Sequence, residues 1–249
     1  IGEELERIGY AGDVACGGRD IAAFFEVHIE QGPILEAEEK TIGIVQGVQG
    51  MRWYDVEVTG MESHAGTTPM DRRKDAIVGA ARMVDALDNL GNDNRPDART
   101  TCGMFDISPG SRNVIPGHVS FSADIRHPDD DILVGLGEQF GEACRKIAAD
   151  MKLELKFEEI WYSPPVNFAE NCISAVEQAA AALGMPSRPI ISGAGHDAVY
   201  ISRVAPAGMI FIPCEDGVSH NEIEAASPED VAAGCDVLLN AMVTCANDV

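Results

Sequence analysis

The chain has 249 residues, 45% hydrophobic and 24% charged, an ordinary globular composition with enough apolar surface for one large or two smaller cores. A formal charge of −23 argues against nucleic acid and anionic membranes as partners. No apolar run reaches the ~18–20 residues that span a bilayer, and no signal peptide opens the sequence. The seven cysteines (Cys16, Cys102, Cys144, Cys172, Cys214, Cys235 and Cys245) are scattered, odd in number and free of CxxC spacing, which points to reduced thiols in a cytoplasmic setting. The first residue is Ile1 rather than Met, so the natural start is expected upstream.

From the beginning, residues 21–48 hold an apolar stretch, a Gly32-Pro33 turn and a β-like run from Thr41 to Val48. From Tyr54 the chain alternates, with Tyr54, Val56 and Val58 set against Asp55, Glu57 and Thr59, the period of a half-buried strand. Residues 75–90 switch to helical spacing, with Ile77, Ala80, Ala81, Val84 and Leu87 on one stripe and Gly91 as the stop. Residues 100–107 read as a strand, and 118–126 alternate strictly, Val119, Phe121, Ala123 and Ile125 facing one way. A helix striped by Leu133, Leu136, Phe140, Ala143 and Ile147 follows, then a strand around Leu153, Leu155 and Phe157. This strand–helix–strand–strand–helix–strand order between about 51 and 160 suits a ferredoxin-like α+β sandwich, an antiparallel sheet with both helices on one face. Beyond Ser163-Pro164-Pro165 come a helix at 173–184 (Ile173, Val176, Ala180, Leu183), a buried strand at 208–213 and a last helix from Ser227-Pro228-Glu229. The expected fold class is α/β, with segments 1–48 and 166–249 as one domain interrupted by the sandwich at 51–160.

Four of the six histidines sit in unusual local settings. His28 ends the run Phe24-Phe25-Glu26-Val27, where an imidazole can project from a strand end toward a cleft. His220 lies in a polar loop leaving the buried strand, on the side where open α/β sheets bind ligands. His196 stands among the small residues Ser192-Gly193-Ala194-Gly195, which let backbone approach a ligand closely. His64 follows the first sandwich strand in Ser63-His64-Ala65-Gly66-Thr67-Thr68-Pro69. Each is equally readable as a polar loop residue, and no HExxH or other compact zinc spacing is present. Arg126 ends strand 118–126 on its polar face and Asn113 lies in Gly110–Gly117; a guanidinium fork assisted by an amide suits a carboxylate, and a salt bridge with Asp124 is the plain alternative.

Six motifs occur in order: His28-Ile29-Glu30-Gln31-Gly32-Pro33, Ser63-His64-Ala65-Gly66-Thr67-Thr68-Pro69-Met70, Asn113-Val114-Ile115-Pro116-Gly117, Asp124-Ile125-Arg126, Ser192-Gly193-Ala194-Gly195-His196-Asp197-Ala198 and Ser219-His220-Asn221. Together they resemble the hydantoinase/carbamoylase branch of the aminoacylase-like metallopeptidases, which includes N-carbamoyl-L-amino acid hydrolases, β-ureidopropionases and allantoate amidohydrolases. The resemblance covers the chain from about residue 20 onward. It implies a di-metal α/β catalytic domain, an inserted sandwich that dimerises, and a small carboxylate substrate. By resemblance His28 and His220 are metal ligands, His64 and His196 catalytic groups that donate to the developing oxyanion, and Gln31, Asn113 and Arg126 substrate-binding residues. The expected cofactor is a pair of divalent metal ions, zinc first, with manganese, cobalt or nickel as alternatives. The family's remaining ligands, a histidine, a bridging aspartate and a glutamate, and its general-base glutamate come from an earlier segment that nothing here matches. The sequence is therefore expected to be a part of such an enzyme, inactive alone. An acylamino-acid or peptide hydrolase, and a non-catalytic dimerisation or ligand-binding module, remain the alternatives.

Overall fold

The computed structural model describes residues 1–15 and 17–247; Cys16, read above with the other thiols, lies outside them, as do Asp248 and Val249. In chain order the elements are α1 (Gly2–Arg7), β1 (Phe24–Ile29), α2 (Ile34–Ala37), β2 (Ile42–Val48), β3 (Gly50–Thr59), β4 (Ser63–His64), α3 (Ala76–Asp93), β5 (Arg99–Thr101), β6 (Phe105–Ser108), β7 (Val114–Ile115), β8 (His118–His127), α4 (Asp130–Met151), β9 (Glu154–Ser163), β10 (Val166–Asn167), α5 (Glu170–Ala182), β11 (Ser187–Ser192), α6 (Asp197–Ile201), β12 (Ala207–Ile212) and α7 (Pro228–Asn247). No disulfide is formed among the described cysteines.

One sheet is mixed. β1 runs parallel to β12, β12 antiparallel to β2, and β2 also receives β10 antiparallel and β11 parallel. Every residue of β12 is buried, the mark of a strand covered on both faces. Its alternate side chains serve two cores. Met209 and Phe211 pack with Leu35, Val45 and Val199, while Ile210 and Ile212 pack with Val176 and Ala180 of α5 and Val237 and Ala241 of α7. Pro228 opens α7 where a missing N–H costs nothing, and the Ser227 hydroxyl accepts the Asp230 N–H (3.0 Å) as its cap.

The second sheet is antiparallel in the order β9–β3–β8, with the short β5 and β6 end to end along the far edge of β8. This is the ferredoxin-like arrangement, and α3 and α4 pack together over one of its faces. The alternation in β8 is complete: Val119, Phe121, Ala123 and Ile125 are all buried and meet Leu87, Leu136 and Phe140. Asp75 and Asp129 cap the two helices through the N–H groups of Val78 and Ile132.

Four local expectations are corrected. Gly91 does not stop α3, which runs to Asp93; it lies inside the helix because a Cβ there would stand 2.4 Å from Thr100 Oγ1, and the end is closed by Asn94, whose amide donates to the Leu90 carbonyl (2.9 Å). Ala81 faces solvent and Met83 takes the buried position, so the true stripe is Ala76, Ala80, Met83 and Leu87. Residues 100–107 are two strands rather than one. At the break the Ser122 side chain and N–H hold both backbone groups of Met104 at 3.1 Å. In α4 the stripe shifts by one position after Phe140, to Cys144 and Ala148, leaving Ala143 and Ile147 half-buried.

The chain passes between the sheets twice, and the two crossings touch. Val48 pairs with Val166 on one side and Met51 with Ser163 on the other. The fit is tight at Gly47, where a Cβ would lie 2.2 Å from the Val166 carbonyl oxygen. Among the described residues no helix is long and apolar enough to cross a membrane.

Candidate metal and substrate site

β1 and β12 lie side by side and parallel, so their carboxyl ends open on one edge of the mixed sheet, where such sheets bind ligands. Glu26 and His28 are two apart on β1 and therefore share a face. His28 Nδ1 sits 2.8 Å from the Ile29 carbonyl oxygen, which fixes its proton on Nδ1 and leaves the Nε2 lone pair available. His196, entering from the loop after β11, meets His28 edge to face with ring centroids 4.7 Å apart. Its Nε2 lies 2.7 Å from the Ser192 hydroxyl and its Nδ1 3.9 Å from Glu26 Oε1. Glu26 Oε2 accepts the Ala198 N–H (2.8 Å) at the start of α6. His196 is 6% exposed, and burial first, then the neighbouring His28, pushes its pKa down to about 4, so it is a neutral imidazole at pH 7.

Glu26, His28 and His196 each offer one ligand atom, all within 4.8 Å of one another. Two imidazoles and a carboxylate form a donor set suited to zinc and to the harder first-row divalent ions, so the residues fit a metal. His220 is not part of this trio.

A cavity of about 460 Å³ is walled by Glu30, Gln31, Gln49, Arg126, Gly193, Phe211, Ser219 and His220, among others; none of the trio lines it, and Phe211, whose ring meets those of His28 and His196, is the link between the two. Gln31 and His220 hold left-handed backbone (φ 58° and 56°), a conformation costly for residues with a Cβ and often met at ligand sites. Gln31 Nε2 donates to Ser219 Oγ (3.0 Å), and Ser219 donates to Glu224 (2.7 Å), which also accepts the His220 N–H at 3.3 Å. The Ser219 hydrogen bond is the first reason the Glu224 carboxyl stays below its ordinary pKa. Glu30 is structural: its two oxygens accept the N–H groups of Ile34 and Leu35 at the start of α2.

Arg126 reaches this cavity from the sandwich. Asp124 grips its Nε (3.1 and 3.0 Å) and Nη2 (2.5 Å), and its Nη1 donates to the Gly193 carbonyl (2.7 Å) on the mixed-sheet side. A guanidinium has five N–H donors, so one remains on each terminal nitrogen, free for a ligand. The salt bridge and the ligand-binding reading of Arg126 are therefore compatible.

The predicted residues thus fall into three places. Gln31, Arg126 and His220 meet at the cavity. His28, half-buried, and His196, buried, pair ring to ring away from the cavity wall. His64 and Asn113 stand together on the small β4–β7 ribbon, exposed and outside the cavity wall, with Ala65 N–H donating to the Asn113 carbonyl (2.9 Å) and His64 Nδ1 accepting from Gly66 and Thr67. The salt bridge of Arg126 with Asp124, one of the two expected readings, is present, whereas sequence reasoning gave no role to Glu26, Ser192 or Gln49. The period-2 relation of Glu26 to His28 could have flagged the first; nothing local flags Gln49.

The chain belongs to the peptidase family M20/M25/M40, whose pattern it matches over residues 2–244. Enzymes of this family are generally dimetal-dependent. It is 43% identical to an N-carbamoyl-L-amino-acid amidohydrolase of Rhizobium meliloti over 100% of this chain and 60% of that protein. It is 38% identical to an allantoate amidohydrolase of Bacillus subtilis over 86% of this chain and 52% of that protein. Among solved structures it resembles an amidase of the hydantoinase/carbamoylase family from Burkholderia multivorans, with a TM-score of 0.93 and 55% identity over 98% of this chain and 59% of the other. The chain spans between half and about three fifths of the length of these relatives.

Proposed function

We propose that this chain is part of an amidohydrolase that cleaves a linear C–N bond of a carbamoyl or ureido acid, releasing the amino acid, ammonia and carbon dioxide from an N-carbamoyl amino acid and water. The observation that carries the reading is Arg126. A guanidinium fixed by Asp124 and Gly193, with two N–H groups unspent, lines a cavity whose wall includes Phe211, the ring that packs against His28 and His196. That combination suits a substrate with a carboxylate at one end and a hydrolysable carbonyl at the other. The named activities of the relatives in Rhizobium meliloti and Bacillus subtilis point the same way.

In this reading Arg126 binds the substrate carboxylate, and Gln31 orients the carbamoyl end through its tie to Ser219. His28 is a ligand this chain contributes to a divalent-metal centre, zinc first, with Glu26 and His196 beside it as further donors, and His220 is a second ligand offered from the cavity wall. Bound there, divalent metal supplies Lewis acidity and a water acidic enough to attack near neutral pH. His196, neutral and held by Ser192, keeps the His28 ring in place. His64 and Asn113 act from outside the cavity of their own chain, across a homodimer contact on the neighbouring one. The exposed edge strand β6, with Phe105 at 37% and Ile107 at 40% exposure, supports such a contact, because an open apolar edge is a template for a second copy. The scattered cysteines fit the cytoplasm.

The deciding experiment uses the full-length enzyme with measured metal content. Metal-dependent ammonia release from N-carbamoyl amino acids or allantoate is expected, and hydrolysis of N-acyl amino acids or dipeptides alone refutes the carbamoyl reading. Light scattering at micromolar concentration checks the contact: a dimer is expected, and a dimer unchanged after substitution of Phe105 and Ile107 by lysine places the contact elsewhere.

A further inference from the structure

The described cysteines divide by what their sulfurs meet. Cys144 is sealed in the core of the sandwich at 0% exposure. Cys102 Sγ donates to the Met104 carbonyl (3.4 Å) and Cys214 Sγ to the Gly32 carbonyl (3.6 Å). Cys172 and Cys245 meet each other. Cys172 stands in the first turn of α5 and Cys245 near the end of α7, and their side chains are in hydrogen-bond contact. The two helices share a core with the mixed sheet, and Cys245 is one of the side chains packed against it.

Burial divides the pair into two roles. Cys172 has no exposed surface and sits over Gly208 of β12, where an added Cβ would come 2.9 Å from the Cys172 Cβ. Burial first, then the neighbouring Cys245, push its pKa up to about 11, so it is a thiol at pH 7. Cys245 is half-buried and lines a surface cavity of about 250 Å³. Asn171, Ser174 and Ala175 line the same cavity, so a small reagent that reaches Cys245 stands against the turn of α5 that carries Cys172. An accessible thiol with a second sulfur in contact behind it is the arrangement in which one cysteine is oxidised and the other resolves it.

We propose that Cys172 and Cys245 form a reversible oxidation site, at which a peroxide reacts with Cys245 and Cys172 then closes a disulfide that staples α5 to α7. In the first step the Cys245 sulfur attacks one oxygen of hydrogen peroxide. The O–O bond breaks, and the departing hydroxide takes the Cys245 thiol proton, leaving a sulfenic acid and one water. The Cys172 sulfur then attacks the Cys245 sulfur. The S–O bond breaks, and hydroxide leaves with the Cys172 proton as the second water. The two thiols lose two electrons and two protons, and the peroxide is reduced to two waters. Sulfurs already in contact move little to reach a bond of about 2.05 Å. A dithiol reductant reverses the change, and transient, redox-sensing disulfides are the kind found in reducing compartments. The staple spans β11, α6, β12 and the 213–227 segment that carries Ser219 and His220, so it constrains the unfolded form of this whole stretch.

The test treats the full-length enzyme with hydrogen peroxide at neutral pH, blocks remaining thiols by alkylation and weighs the digested peptides. Wild type is expected to give a linked peptide holding Cys172 and Cys245, two hydrogens lighter than its reduced parts and lost after dithiothreitol. The oxidised protein is expected to unfold at a thermal midpoint raised by roughly 4 °C or more. Cys172→Ala is expected to give no link and to leave Cys245 as a sulfenic acid that dimedone captures. Should that buried variant not fold, Cys245→Ala, at a half-buried position, is expected to give no link and to leave Cys172 unmodified. Absence of the linked peptide in wild type while the exposed Cys235 is oxidised, or a link from Cys245 to another cysteine in its place, overturns the proposal. A linked protein with an unchanged midpoint refutes the staple.

Discussion

Removing Asp124 tests whether Arg126 is a ligand anchor or a surface ion pair. The pair is partly buried, with side chains 27% and 22% exposed, and Asp124 engages Nε and Nη2 while Gly193 holds Nη1. Asp124→Ala leaves the charge in place and releases its orientation. Immobilising one long side chain costs about 0.5–1.5 kcal/mol on binding, so KM for a carboxylate substrate should rise about 2- to 12-fold with kcat little changed. Arg126→Ala removes the donor itself. Loss of even one charge-assisted hydrogen bond, about 1.5–3 kcal/mol, should lower kcat/KM by at least ~10-fold. Because Asp124 acts through Arg126, the double variant should match Arg126→Ala, and the coupling should equal most of the single Asp124 effect. The assay is steady-state ammonia release by the full-length enzyme, with a neutral amide analogue of the substrate as control. Fully additive effects, or equal losses on the carboxylate and the amide analogue, would refute the anchor.

Three further outcomes follow from the packing. Gly47→Ala should destabilise the protein by about 1–3 kcal/mol or more in urea unfolding, because its Cβ meets backbone at Val166 rather than a side chain that can swing away; an unchanged midpoint would show that the crossing can open freely. Phe140→Ala, at 1% exposure between Tyr54 and Phe157, should cost about 3–5 kcal/mol, measured the same way. In metal-free protein, His196 has a folded pKa of about 4 against an ordinary 6.5, so the folded state favours its neutral form. Stability from this group is complete above pH 6.5 and is lost as pH falls toward 4, an effect of about 3 kcal/mol. His196→Gln should flatten that part of the stability–pH curve, and parallel curves for the two proteins would contradict the assignment.

Where the local pattern is strict, sequence and structure agree. The alternation of Val119, Phe121, Ala123 and Ile125 faces one core, and the apolar 208–213 run is a strand covered on both sides. What failed has identifiable causes. β11 went unread because Pro189 interrupts it; the proline is tolerated since β11 is an edge that pairs only with β2. Gly91 reads as a stop until Thr100, nine residues on and in another element, is seen to need the space. The six motifs identified the cavity residues Gln31, Arg126 and His220, but not that His196 is buried against His28 while His64 and Asn113 lie apart, since those relations depend on loops meeting from distant strands. Gln49 carries no sequence signal at all; its distinction is an unmade hydrogen bond, visible only once every neighbour is placed.

The touching crossings at Val48–Val166 and Met51–Ser163 bear on the order in which the chain folds. For the mixed sheet, everything between Val48 and Val166 is a loop of roughly 120 residues whose closure, if flexible, costs about 4 kcal/mol. The antiparallel sheet with α3 and α4 has its own core, drawn from residues between Tyr54 and Phe157, and can form first. Once formed, it presents Met51 and Ser163 side by side, and the long loop becomes a short clamp that holds β2 against β10. Phe140→Ala should then slow the folding of both layers, whereas Val237→Ala, in the core between α7 and the mixed sheet, should act mainly by speeding unfolding.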